Sequence, residues 1–368
     1  MMFDRRLIEC FDWGLLVLTL LILSVGLVVL YSTVAAGENA VSYVLFQKQM
    51  IWMGMGLLIM FASVSVHYRH LDKGSVAIYF TCILLLVIVL LFGKYVGGSR
   101  RWLALGPFTM QPSELMKLSL IITISSIYSG VVGEKGVGFR DIIKPLIALT
   151  IPFGLIVSQP DLGTALLLFF LSAGITLFVR VRKRVFLVFI ALGAPAVPLV
   201  WFLLKDYQKA RILTFLNPDR DPLGAGYHII QSKIAIGSGM ITGKGFLQGT
   251  QSALDFLPEQ HTDFILSVLA EEWGFAGCLF LLFLYLVLLL WGLNISYSCR
   301  DMFGSILAFG VTLMIFLQIF INVAMVMGIM PVVGVPLPLI SYGGSSVITN
   351  MVGIGILMNI SMRRFASN

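Results

Sequence analysis

The groups in this chain that could do chemistry sit in a few short segments. Leu257-Pro258-Glu259-Gln260-His261-Thr262-Asp263 ends the only long polar stretch, residues 204–263. Gln159-Pro160-Asp161-Leu162-Gly163 makes a very short turn between two apolar runs. Gln111-Pro112-Ser113-Glu114-Leu115-Met116-Lys117 sets Glu114 and Lys117 at i, i+3, so on a helix they share a face and can pair. Gly97-Gly98-Ser99-Arg100-Arg101-Trp102 carries two adjacent guanidinium groups. Asp161, Asp255, Glu259 and Asp263 supply carboxylates on the same side of the layout as Arg100, Arg101, Lys205, Lys209, Arg211, Lys233 and Lys244. A carboxylate at a cavity can accept a proton from an attacking hydroxyl. Cations can neutralise a phosphate leaving group. The set suits group transfer from a lipid-linked phosphate donor, and equally the plain binding of an anionic lipid.

Each position also has a bland explanation. Asp161 fits an N-cap, a role compatible with an active-site one. Glu114 and Lys117 fit a structural ion pair, although charges inside an apolar span usually face a polar interior. Arg100 and Arg101, beside Trp102, fit headgroup anchoring at an interface. Asp263 stands near the start of a helical segment, where the dipole would lower its pKa and weaken it as a base. Apolar surroundings and a neighbouring carboxylate such as Glu259 push the other way. Glu271 and Glu272 stand at the entrance to an apolar run, with one of them expected to face inward.

Several chemistries find no support. His67 and His70 share a predicted loop, while His228 and His261 lack a nearby Cys or His partner, so no metal set forms. No nucleophile elbow or dinucleotide fingerprint occurs. Gly243-Lys244-Gly245 is not a nucleotide loop, because its spacing is short by one and no Ser or Thr follows Lys244. The five glycines between 237 and 249 imply backbone brought close to a ligand or to a membrane.

The elements that must position these groups are apolar helices. Hydrophobic residues make up 58% of the chain and charged ones 12%, against roughly a quarter charged in soluble domains. Mean hydropathy is +0.97, and too little polar surface remains to cover a soluble core. The pattern predicts an all-α polytopic membrane protein, one integral membrane domain over 1–368, with ten spans. They fall at about 13–32, 49–66, 75–93, 113–130, 142–158, 163–179, 185–204, 273–293, 303–328 and 345–361. The first run has no cleavage site clearly following it and counts as a span. Fourteen of the 25 Lys and Arg fall in the amino-terminal flank and after the even-numbered spans, which makes that side cytoplasmic. Both termini are then cytoplasmic, and the loop at about 205–263, before the eighth helix, is extracytoplasmic. The net charge of +7 follows from this bias and implies no nucleic acid. Cys10, Cys82, Cys278 and Cys299 are split between spans and cytoplasmic flanks, which argues against a disulfide framework.

Within the loop, Tyr227, Ile230 and Ile234 have helical spacing and predict a helix lying at the membrane surface. Ser113 is the expected N-cap of the fourth span. The segment 330–344 is apolar but rich in Pro and Gly. Irregular backbone at membrane depth must be buried in protein or line a cavity, so this segment and the outer loops are expected to converge on one cavity.

The chain resembles the SEDS family, for shape, elongation, division and sporulation. The resemblance covers nearly its whole length. It rests on the Gly98–Trp102, Gln111–Lys117, Gln159–Gly163 and Leu257–Phe264 segments and on Val335-Pro336-Leu337-Pro338-Leu339-Ile340-Ser341-Tyr342-Gly343-Gly344-Ser345, in that order. The stretch 226–239 and Gly249-Thr250-Gln251-Ser252 are similar to the cell-elongation branch. The resemblance implies a peptidoglycan glycosyltransferase of the bacterial cytoplasmic membrane. It would polymerise lipid II by inverting transfer from a glycan on undecaprenyl pyrophosphate, beside a class B penicillin-binding protein and other elongation-complex proteins. It implies Asp263 as catalytic residue and Glu114, Lys117 and Asp161 as polar cavity residues, with Arg101 and Lys117 toward the phosphates. Lys244 and Ser341 complete the expected substrate-binding set. A divalent cation, magnesium or manganese, could share the work, though no ligand cluster in the sequence demands one. The rival readings are a lipid II transporter and a non-catalytic scaffold for a transpeptidase.

Overall fold

The computed structural model describes residues 10–36, 40–96, 99–106, 108–131, 136–183, 206–217, 224–253 and 259–363, with 185, 187, 188, 191, 202, 221 and 256. Nearly all of the seventh predicted span, 185–204, lies outside these residues, as do Lys205, Asp255, Leu257 and Pro258.

The other nine predicted spans coincide with helices: α1 Trp13–Ala36, α2 Ala40–Ser65, α3 Arg69–Phe92, α4 Pro112–Ser129, α5 Phe139–Ser158, α6 Leu162–Phe178, α10 Ile265–Ser298, α11 Met302–Val326 and α12 Gly344–Arg363. Seven of them are long and apolar enough to cross a membrane, and α6 is a shorter apolar helix. The remaining one, α4, holds the Glu114–Lys117 pair. Between the sixth and eighth predicted spans lie α7 Asp206–Leu216, α8 Ala225–Ser238 and α9 Thr250–Ala253. Helices α4, α11 and α12 are mostly buried, while α2 and α3 present most of their surface outward. The buried helices carry Gln318, Asn322, Asn350 and Asn359. Asn359 shows what such residues do. It donates to Ser63 O (3.0 Å), Val64 O (2.7 Å) and Val66 O (2.5 Å), taking up carbonyls at the end of α2.

The expectation of an all-α chain fails between α3 and α4. Three short antiparallel strands, β1 Lys94–Val96, β2 Ser99–Leu105 and β3 Phe108–Met110, form a meander in the order β1-β2-β3. The reason is written in the sequence between the strands. Gly97-Gly98 separates Val96 from its partner Ser99, a hairpin signal. Gly106 at φ +64° joins the next pair, where Leu105 pairs with Phe108. The meander satisfies backbone groups that an irregular loop would leave open.

Ser113 is not the N-cap of α4. Gln111 holds that position and Pro112 begins the helix, since a missing N–H costs nothing in the first turn. The helix expected from Tyr227, Ile230 and Ile234 is α8. It is docked on α10 and α11. Ser232 Oγ donates to Val326 O (2.6 Å) and lies 2.8 Å from Ser267 Oγ.

The longest helix, α10, is broken. Gly274 has φ +65° and ψ −163°. Segment 240–245 fills the break: the amides of Phe275 and Ala276 donate to Met240 O (2.9 Å) and Ile241 O (3.0 Å), and those of Lys244 and Gly245 donate to Glu271 O and Glu272 O (both 3.0 Å). The glycines are required by this approach. A Cβ on Gly239 would lie 1.9 Å from Ala270 O, and one on Gly243 2.1 Å from Glu272 O. The glycine-rich run therefore approaches another piece of backbone, where a ligand or the membrane was expected.

Candidate active site

The segment before α12 fixes the turn that carries Asp263. Buried Asn322 of α11 donates to both Asp263 O (2.9 Å) and Val335 O (2.8 Å). Ser341 Oγ donates to Thr262 O (2.6 Å) and accepts from Leu337 N (2.8 Å). Tyr342 N donates to His261 O (2.8 Å). The Gln49 amide of α2 donates to Ser341 O and accepts from Gly343 N, both at 3.2 Å. The backbone of residues 261–263 is thus held by bonds from two other segments, so Asp263 is preorganised.

The same segment brings Asp161 close. Val333 packs so tightly on Gly163 that a Cβ there would lie 2.4 Å from Val333 O. The next residue, Gly334, has φ +73°, and a Cβ on it would lie 3.4 Å from Asp263 Oδ2. Two adjacent residues therefore separate the start of α6 from the Asp263 carboxylate.

Asp161 does cap α6, accepting from Thr164 N (3.3 Å) and Thr164 Oγ1 (3.0 Å). It also accepts from Gln111 Nε2 (3.3 Å) and lies 3.7 Å from Arg101 Nη1. Strand β2 carries Arg101 to this point, where its guanidinium donates to Gln159 O (3.2 Å) and Pro160 O. Gln111 N in turn donates to Ser345 Oγ (3.0 Å), tying the start of α4 to that of α12. One turn into α4, Glu114 meets Lys117 at 2.7 Å, and both are buried.

Asp263 is electrostatically distinct. Packing away from water pushes its carboxyl from 3.8 up to about 6, and the carboxylates of Glu259 and Asp161 push the same way. Arg101 and Arg211 pull it down, less strongly. Among the described residues, no hydrogen-bond donor reaches its oxygens. Of the two opposing pushes expected on this carboxyl, the rise from apolar surroundings and Glu259 outweighs the fall from the dipole of α10, whose N-cap position is held by Phe264. Burial also lowers the pKa of His261, leaving it neutral near pH 7.

Two expected substrate-binding residues are committed elsewhere. Ser341 is buried and both its hydrogen-bonding roles are filled by backbone. Lys244 Nζ lies 2.6 Å from Glu271 Oε1. Glu271 and Glu272 are both buried, where one was expected to be. Sequence reasoning left out Gln49 and Asn322, and it named Gln111, Gly334 and Arg211 only within longer segments or sets, with no role of their own. Gln49 and Asn322 had a usable signal, since polar side chains in apolar spans mark interior contacts. Among the described residues no three His, Cys, Asp or Glu converge to hold a metal.

Comparisons agree with this architecture. The pattern of the cell cycle protein family that joins FtsW, RodA and SpoVE matches residues 13–365. The peptidoglycan glycosyltransferase MrdB of Escherichia coli is 41% identical over 94% of this chain and 93% of its own. The peptidoglycan glycosyltransferase RodA of Treponema pallidum is 35% identical over 98% and 99%. A chain solved in work on the structural coordination of polymerization and crosslinking by a peptidoglycan synthase complex superposes with TM-score 0.82. It is 33% identical, over 97% of this chain and 99% of that one. The crystal structure of the Thermus thermophilus rod shape determining protein RodA gives TM-score 0.72 at 29% identity, over 97% and 98%. Fold and sequence agree that this multi-pass membrane protein belongs to the FtsW/RodA/SpoVE family.

Proposed function

We propose that the chain is a peptidoglycan glycosyltransferase that polymerises lipid II into β-1,4 glycan during cell elongation, with Asp263 as general base. The acceptor's 4-hydroxyl attacks C1 of the donor sugar. The new C–O bond forms as the bond from C1 to the diphosphate oxygen breaks, inverting the anomeric centre. The hydroxyl proton passes to Asp263, and the electron pair leaves with undecaprenyl pyrophosphate.

The observation that carries this reading is the state of Asp263: a preorganised carboxylate with no donor on its oxygens among the described residues and a pKa of about 6. It is ionised at pH 7 and basic enough to take a proton, as an efficient general base must be. Arg101 and Arg211 act on it from two separate elements, in reach of charge that develops on a diphosphate. Asp161 holds Arg101 in place, and the Glu114–Lys117 pair lines the approach from α4. Lys244 and Ser341 serve the site through protein contacts.

The topology belongs to the same proposal. The ten spans enclose one membrane domain in the bacterial cytoplasmic membrane. Both termini face the cytoplasm, and 205–263 faces outward, where exported lipid II waits. The Lys and Arg distribution supports this. The partner is a class B penicillin-binding protein, a transpeptidase that crosslinks the product. The transporter reading gains little from the broken α10. Transporter helices break to expose backbone to a cargo, whereas the groups freed at Gly274 are taken up by segment 240–245.

Purified protein with its transpeptidase partner should polymerise lipid II, and Asp263→Ala should not, while still binding the partner. Lipid II crossing vesicle membranes without glycan formation would favour transport instead.

A further inference from the structure

We propose that Lys244 and Glu271 form a latch that positions Asp263, through the short half-helix between Asp263 and the break at Gly274. This rests on the reading of Asp263 as the base.

The half-helix runs from Ile265 to the break, so Asp263 stands at one end of it and Glu271 near the other. At Gly274 the ordinary helical ladder is interrupted. The half-helix is joined to the rest of α10 through segment 240–245, by the two amides that segment donates and the two carbonyls it offers. Where that segment sits therefore governs where the half-helix sits.

One charged contact pins the segment. Glu271 is fully buried. Its Oε1 receives Lys244 Nζ (2.6 Å), Thr250 Oγ1 (3.1 Å) and Gln251 N (3.1 Å), and its Oε2 lies 3.3 Å from Gln251 N. Lys244 Nζ also donates to Thr250 Oγ1 (2.8 Å). A buried carboxylate without its cation is strongly disfavoured. The ammonium thus holds both flanks of the glycine-rich run, at 244 and at 250–251, onto the half-helix. Lys244 is not among the charges that act on Asp263, so its influence on the base passes through backbone.

The test compares Lys244→Met, Lys244→Arg and the neutral pair Lys244→Met with Glu271→Gln, beside Asp263→Asn, in lipid II polymerisation by the full chain with its partner. The neutral pair leaves no stranded charge, so it keeps the test alive if Lys244→Met fails to fold. Loosening the latch should lower kcat roughly tenfold to a hundredfold, the scale of a misplacement near 1 Å. KM for lipid II should stay within about twofold, because neither residue touches substrate. The acid limb of the rate should move by about half a unit or more as Asp263 shifts against Glu259, Arg101 and Arg211. Lys244→Arg should recover most of the rate. A raised KM with unchanged kcat would make Lys244 a substrate ligand and overturn the latch. Wild-type kcat and acid limb in the folded fraction would also overturn it. If Asp263→Asn is inactive while the latch variants behave as wild type, the latch alone fails; an active Asp263→Asn removes the base itself.

Discussion

Asp263 and Glu271 stand eight residues apart on either side of one half-helix, and their surroundings are opposite. Glu271 is fully buried and receives an ammonium, a hydroxyl and a backbone amide. Among the described residues Asp263 receives no donor at all, and it faces Glu259 and Asp161. A fold that can satisfy one carboxylate this fully is able to satisfy the other. That it leaves Asp263 partly unpaid is what a base requires, since a fully hydrogen-bonded carboxylate binds protons poorly. The contrast separates a charge that holds structure from a charge kept ready to react.

The largest effect should come from removing the reactive member. Asp263→Asn should lower lipid II polymerisation by about 10²-fold to 10⁴-fold, the usual contribution of a general base. The same change should raise Tm at pH 7.5. The sign follows from the raised pKa: the fold prefers the protonated acid, so ionisation weakens it as pH rises through about 6. The gain from Asn should shrink as pH falls below 6 and vanish below the unfolded value of 3.8. A Tm that fell for Asp263→Asn at pH 7.5 would place Asp263 with Glu271 as a structural charge.

Next in size is the structural member. Lys244→Met should destabilise by about 3 kcal/mol, the scale for stranding a buried ion, read as a fall in Tm. Adding Glu271→Gln should restore much of that loss. Gly243→Ala would force a Cβ to within 2.1 Å of Glu272 O, so it should lower Tm by a similar order.

The smallest shifts, in the pH of the acid limb, should be the most telling. Glu259→Gln removes a neighbouring negative charge, so the acid limb of polymerisation should move below 6. Arg101→Gln removes a positive one, so its limb should move above 6, with a rate loss of about 10²-fold if Arg101 also steadies the diphosphate. Shifts in the reverse directions, measured as rate against pH, would break the electrostatic account.

Much of the fold was legible because apolar run length alone marks a helix in lipid; nine runs coincide with helices in register within a few residues, apart from α2, α3 and α10, which begin earlier. The meander at 94–110 was missed because hydropathy does not see strands this short, although Gly97-Gly98 between β-forming residues was a signal. The 237–249 glycines were legible as close approach but not as to what, since nothing local in the sequence says that α10 breaks at Gly274. The convergence of the outer loops was expected from the irregular 330–344 segment, and the resemblance put Asp161 and Asp263 in one site, but the way they are brought together was hidden for a similar reason. It depends on Val333 and Gly334 passing between them, a contact between segments far apart in the chain.

The most direct test is the initial rate of lipid II polymerisation from pH 5 to 8, by wild type and by Asp263→Asn, each with the transpeptidase partner. Wild type should rise through a midpoint near 6, and the asparagine variant should stay at background throughout. An asparagine variant that polymerised at the wild-type rate, with the same midpoint, would show that another group takes the proton.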